Sequence, residues 1–313
     1  MIPREKDVVK FGCEIIDGSI SLYSGGELQM FQGQYLRIKD LPGIFYSRYG
    51  KIPENILIRH CYRRLYDIAS NHMVNYDGDL PATLFTGVPG IGKSLFLIYF
   101  LFRFLHDTRF PDKRFAIEFA SAEYFYFEPK SISSDEYYCS VETQITTPTL
   151  QIPIFSDVKS MTEPRGRGRW LFIFSSPNPL RYKETIKNSP KFCFTLPTWS
   201  YEELKFLDSD DTNWIAAFIL FGGVPRNVFW DGTETNPAIK LSDTLESKGG
   251  IIAENFFRRG FGNIDPENSY MILHVNPPWC PEQNDWLYDQ AVVYSFASDE
   301  IFKKIAEKRQ IIK

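Results

Sequence analysis

The chain has 313 residues, 43% of them hydrophobic and 24% charged, which gives it the length for one large or two modest domains and excludes a disordered chain. A formal net charge of −4 excludes a surface coated in positive potential, and with it strong non-specific nucleic-acid binding by the whole molecule. Five cysteines (Cys13, Cys61, Cys139, Cys193 and Cys280) are scattered without C-x-x-C or zinc spacing, and are expected as reduced, mostly buried thiols.

In chain order, the charged N-terminus, Met1-Ile-Pro-Arg-Glu-Lys-Asp, lacks the apolar core of a signal peptide, so an intracellular chain is expected. Residues 1–50 read as an irregular leader with short β-like runs at Ser19-Ile-Ser-Leu-Tyr23 and Leu28-Gln-Met-Phe-Gln32. Residues 51–200 read as the core, and residues 201–313 as a lid-like and mixed subdomain, helical first. Ile58, Cys61, Tyr62, Leu65 and Ile68 recur at helical spacing, with Arg59, Arg63, Arg64 and Asp67 on the other faces. Two readings of that helix stand: Ile58 and Arg59 line a base pocket, or the helix only covers a sheet.

The most informative stretch follows. A strand-like run, Ala82-Thr-Leu-Phe-Thr86, leads into Gly87-Val88-Pro89-Gly90-Ile91-Gly92-Lys93-Ser94-Leu95, and then into an apolar segment without Gly or Pro. Residues 87–94 fit G-x-x-x-x-G-K-[ST] in its strand–loop–helix setting. Glycines let successive N–H groups curl round a phosphate, and the following helix points the positive end of its dipole at the same anion. In that reading Lys93 reaches the β- and γ-phosphates and the Ser94 hydroxyl meets Mg²⁺, so ATP and Mg²⁺ are the expected cofactors. The segment from Leu95 to Phe104 is apolar nearly all round, but its length and Arg103 fit a buried helix rather than a membrane span.

Further strand-like runs are Phe115-Ala-Ile-Glu-Phe-Ala120 with Glu123-Tyr-Phe-Tyr-Phe127, expected as a hairpin, then residues 150–157, 170–177 and 192–197. Residues 128–148 read as loop or insertion. Strands alternating with helical segments predict an α/β fold with a parallel sheet flanked by helices, whose ligands sit at the carboxyl ends of the strands. Asp157, Ser175 and Ser176 fall at such ends. Asp157 is the candidate second metal ligand, although Val158 follows it where many ATPases place a water-activating Glu; a turn-forming Asp is the other reading. Ser175 or Ser176 would sense the γ-phosphate or position water, or else cap the turn before Pro177, and Arg181 and Lys183 follow in the same loop. Arg165, Arg167 and Arg169 form a basic loop that touches DNA or is simply solvated. Ser200 and Glu203 have capping-box spacing. Phe221-Gly-Gly-Val-Pro-Arg226 presents Arg226 on a constrained backbone, suited to stabilising charge at a γ-phosphate or to pairing with a surface carboxylate.

Taken together, Arg59-His-Cys-Tyr-Arg-Arg-Leu-Tyr66, the run from Gly87 to Phe100, Ser175-Ser-Pro177 with Tyr182, Leu196-Pro-Thr-Trp-Ser-Tyr-Glu-Glu-Leu204 and Phe221-Gly-Gly-Val-Pro-Arg226 resemble, in order, the NTPase region of Crinkler effectors and the related trypanosome retrotransposon hot spot proteins. His274 and Phe296-Ala-Ser298 resemble the end of that region. The resemblance implies a P-loop NTPase of AAA+/STAND type, with residues 87–94 as Walker A, Asp157 as Walker B and Arg226 as second sensor. Lys93, Asp157, Arg226 and Ser176 are then the expected catalytic set. It also implies a secreted protein reaching a host nucleus, with host proteins or a second copy as partners and no membrane. Family members often carry a nuclease-like domain downstream, and the residues to Lys313 are expected to hold the NTPase module without it. The function expected is a nucleotide-dependent switch with slow hydrolysis; a binding module that holds ATP or ADP without turnover, and a small-molecule phosphotransferase, are the alternatives.

Overall fold

A computed structural model describes residues 7–24, 27–75, 82–120, 123–131, 135–142, 152–157, 170–175, 191–207, 213–232, 235–258 and 271–311. The chain divides into two compact units: one of Met1–Phe85, Lys93–Ser175 and Pro179–Cys193, the other of Thr86–Gly92, Ser176–Asn178 and Phe194–Lys313. The expected leader therefore belongs with the core in the first unit, and the glycine-rich turn belongs to the second.

The first unit begins with β1 (Asp7–Lys10), β2 (Gly12–Ser24), β3 (Glu27–Asp40), α1 (Gly43–Tyr49), β4 (Asn55–Leu57) and α2 (His60–Asn75). The residues expected to be irregular form a long antiparallel pair instead, β2 with β3, to which β4 adds antiparallel. Gly18 and Gly33 lie opposite each other in this register and interrupt the apolar alternation, so that one long hairpin reads in sequence as short fragments. Ile58 precedes α2 in extended chain rather than lying within it, its N–H donating to the Gln34 carbonyl.

Next come β5 (Ala82–Thr86), α3 (Lys93–His106), β6 (Phe115–Ala120), β7 (Glu123–Pro129), β8 (Glu136–Glu142), β9 (Ile154–Ser156), β10 (Leu171–Phe174) and β11 (Lys191–Thr195). They join β1 in an eight-stranded sheet of order β1-β8-β7-β6-β9-β10-β5-β11. The pairs β6/β9, β9/β10 and β10/β5 are parallel, as expected, whereas β6/β7, β7/β8 and β8/β1 are antiparallel, so the sheet is mixed. A short link between β6 and β7 allows only an antiparallel return, because a parallel crossover needs about a dozen residues. The segment 128–148, read as loop, contributes β8, in which Tyr137 is buried while Tyr138 and Val141 are exposed.

Strand alternation sorts the sheet's residues by face. Phe85, Phe115, Phe155, Phe172 and Phe174 stand on one face and meet Phe96, Phe100 and Phe104 of α3, with ring centroids 5.1 Å apart for Phe85–Phe96 and 4.9 Å for Phe100–Phe172. Ala82, Leu84, Ala116, Ile154, Leu171 and Ile173 cluster on the other. The phenylalanine excess is thus the core of this unit, and α3 is a buried helix; among the described residues no helix is long and apolar enough to cross a membrane. Of the five cysteines only Cys61 is buried, while Cys193 is exposed and the rest are intermediate, which corrects the expectation of mostly buried thiols; all five are free.

In the second unit, α4 (Tyr201–Lys205), α5 (Asn213–Phe221), α6 (Pro225–Val228) and α7 (Pro237–Arg258) precede β12 (Leu273–Asn276), β13 (Trp279–Cys280), β14 (Asp285–Trp286), β15 (Val293–Phe296) and α8 (Asp299–Ile311). The expected capping box opens α4, with Ser200 Oγ accepting from the Glu203 N–H and the Glu203 carboxylate from the Ser200 N–H. Strand β12 pairs antiparallel with β15, and Phe221, Leu241, Leu245, Met271, Ile272, Leu273, Ala297, Ile301 and Ile305 form this unit's core.

Candidate functional site

Two groups of residues carry the sequence-derived site. The first is the glycine-rich turn. Gly87, Gly90 and Gly92 all adopt positive φ, at 144°, 87° and 95°, as a turn that curls its N–H groups inward requires. A side chain at Gly87 would fall 2.9 Å from the Leu196 carbonyl oxygen, and one at Gly90 would fall 2.8 Å from Arg226 Cβ. The turn is held from three sides. Val88 and Ile91 are buried; the Leu196 N–H donates to the Thr86 carbonyl; the Trp199 indole N–H donates to the Ile91 carbonyl at 2.8 Å. Trp199 is itself clamped, its N–H donating to the Gly223 carbonyl, with no room at Gly223 for a side chain against the Trp199 backbone. Gly222 has φ 63°, Pro225 starts the single-turn α6, and Arg226 is exposed beside Gly90. Arg226 therefore lies against the loop that the sequence paired it with, on a single helical turn that Pro225 begins.

The second group lies in the first unit. At the start of α3, the Ser94 hydroxyl donates to Asp157 Oδ2 at 2.9 Å, across 63 positions of sequence. Asp157 immediately follows β9 and shares the face of Phe155, the face against which α3 packs. Sequence reading did not find its other partners. Tyr49, the last residue of α1, donates its hydroxyl to the same Oδ2 at 2.7 Å, and Arg48 Nη2 donates to the Asp157 main-chain carbonyl at 3.0 Å. Burial, and then the negative Asp157 beside it, raise the Tyr49 pKa far above the usual phenol range, so Tyr49 remains a protonated donor. No local pattern marks Arg48 or Tyr49, because their partner is 109 and 108 residues away.

At the end of β10, Ser175 is buried and its Oγ has no hydrogen-bond partner among the described residues, while its N–H donates to the Phe85 carbonyl. The chain leaves β5 towards β6 on one side and leaves β10 towards β11 on the other, so the carboxyl ends of these neighbouring strands form the kind of switch point where α/β sheets take ligands. An unsatisfied buried hydroxyl there is costly unless water or a ligand meets it. Ser94 and Asp157 supply hard oxygen donors, and among the described residues no cluster of three His, Cys, Asp or Glu exists. Hard oxygen donors of this kind are what Mg²⁺ takes.

Of the remaining predicted residues, Lys93 opens α3 and Pro89, Gly92 and Leu95 stand around the turn at intermediate exposure. Arg59 is buried, its guanidinium 5.8 Å from the Tyr62 ring centroid. Ile58 lines a polar cleft of about 580 Å³ with Asp17, Gln34, His60 and Arg63. Ser176, Val158, Arg181, Lys183 and the basic residues at 165, 167 and 169 lie outside the described residues.

No protein-family model matches the chain, and no solved structure does. The chain is 26% identical over 206 residues to Crinkler effector protein 15 of Phytophthora infestans, an alignment that covers 59% of this chain and 31% of that protein. The chain thus spans about a third of that relative's length, and its likeness to a Crinkler effector holds over part of each sequence.

Proposed function

We propose that this chain is a Crinkler-like effector module of P-loop NTPase type that binds ATP with Mg²⁺ at Gly87, Val88, Pro89, Gly90, Ile91, Gly92, Lys93, Ser94 and Leu95, and works as a nucleotide-dependent switch with slow hydrolysis. The observation that carries this reading is the 2.9 Å hydrogen bond between Ser94 and Asp157, two residues chosen from sequence as metal ligands and far apart in the chain. Positive φ at three glycines of the turn supports it, because an L-residue loop without that freedom would not present consecutive N–H groups to a phosphate. In this reading Lys93 neutralises the outer phosphates and Ser94 with Asp157 holds Mg²⁺, which when bound draws charge from the phosphates. Arg226 stabilises charge at the γ-phosphate, and Ser175 or Ser176 orients the attacking water. The effector role rests on the likeness to the Crinkler protein and on the motifs together, and a host-nuclear destination on the family resemblance of the motifs alone.

A second reading, nucleotide held without turnover, is favoured by the sequence at position 158, where valine follows Asp157 in place of the water-activating Glu of many ATPases. Phosphate release and nucleotide binding, measured on the wild type and on Lys93→Ala, separate the two. The switch reading expects slow Mg²⁺-dependent release from the wild type and loss of both binding and release in the variant. Binding without release above background selects the second reading, and unchanged ATP affinity in Lys93→Ala overturns the assignment of the loop.

A further inference from the structure

We infer that Tyr49, the last residue of α1, is a positioning residue for the metal site, aligning the Asp157 carboxylate so that Mg²⁺ with its nucleotide is bound tightly. This inference rests on the nucleotide-binding reading above and adds to it an element outside the P-loop core. Three donors converge on one acidic residue: Tyr49 Oη at 2.7 Å and Ser94 Oγ at 2.9 Å on Oδ2, and Arg48 Nη2 at 3.0 Å on the main-chain carbonyl. With both hydroxyls on Oδ2, Oδ1 lies outside either bond and is the oxygen left to face a cation or one of its waters. A carboxylate at the end of a three-residue strand has rotamer freedom of its own, and the Tyr49 hydroxyl removes it.

Tyr49 can do this because its ring is fixed. It packs edge-on to Phe119, at 5.5 Å between centroids, and near Phe45, which is wholly buried. The Phe45 ring is in turn 5.3 Å from Phe119 and 6.0 Å from Phe11. The hydroxyl is therefore held by α1 and the sheet independently of Asp157, as a group that orients a ligand must be. Tyr49→Phe removes that hydroxyl and keeps the ring and its packing.

The test uses the full chain and a fluorescent ATP analogue, titrated with Mg²⁺ from a starting point in EDTA, with thermal unfolding recorded alongside. Removal of a partner that orients a metal ligand costs about 10- to 100-fold in metal affinity, so Tyr49→Phe should shift the Mg²⁺ midpoint upward by about that factor while binding in EDTA stays at the wild-type level. In an Asp157→Asn background the same change should produce no further shift. An unchanged Mg²⁺ midpoint in Tyr49→Phe, whether or not its melting temperature falls, overturns the inference and leaves Tyr49 as packing for α1. A shift of equal size in the Asp157→Asn background overturns it also. If the wild type binds no analogue with or without Mg²⁺, the nucleotide reading fails and the inference falls with it, an outcome distinct from the other two.

Discussion

Gly90 joins backbone and packing at a single atom position. Its φ of 87° is costly for an L-residue, and a Cβ there would meet Arg226 Cβ at 2.8 Å and Val224 Cγ1 at 3.3 Å. Gly90→Ala should therefore destabilise the protein by about 1–3 kcal/mol, whereas Gly43→Ala, at a site with nothing within 4 Å and no positive φ, should be nearly neutral. Urea denaturation of the two variants checks the contrast, and equal midpoints would contradict it. The need for glycine at 87 and 92 was legible in the sequence, because the motif's spacing states a backbone requirement there. The Tyr49 and Arg48 bonds to Asp157 were not, because a contact across more than a hundred positions leaves no local period to read.

At the scale of elements, the turn is attached to the segment that follows β11 through Trp199. The indole N–H satisfies the buried Ile91 carbonyl, and the Trp199 main chain closes on Gly223, so the turn and the Gly222–Gly223 corner share one residue. Trp199→Phe leaves that carbonyl without its donor and should cost about 1–3 kcal/mol, read as a lower melting temperature; an unchanged one would show that the bond carries no net stability. The parallel strands β6, β9, β10 and β5 and the buried helix α3 were readable as short apolar runs around a strand–loop–helix motif. Strands β2, β3 and β8 were not. Glycine and polar residues break their apolar alternation, so their pairing depends on neighbours that sequence does not bring together.

At the scale of the whole molecule, acid stability should depend on His274, which is buried in β12 against Gly222. Burial disfavours the imidazolium and lowers its pKa from 6.5 to about 4. The folded state keeps the ring neutral while the unfolded state protonates it, so this stabilisation is full above about pH 6.5 and falls away as the pH drops towards 4. Between pH 7 and pH 4.5 the loss is about 2–3 kcal/mol, and His274→Asn should show a correspondingly smaller drop in urea midpoint over that range; parallel profiles would contradict the assignment. The central claim is that the turn at 87–94 binds a nucleoside triphosphate whose Mg²⁺ depends on Asp157. Calorimetric titration of ATP into the wild type and into Asp157→Asn, each with Mg²⁺ and with EDTA, tests it most directly. The account predicts binding that Mg²⁺ strengthens in the wild type, and binding in the variant that Mg²⁺ no longer strengthens; no binding to the wild type, or the same gain from Mg²⁺ in both proteins, would contradict it.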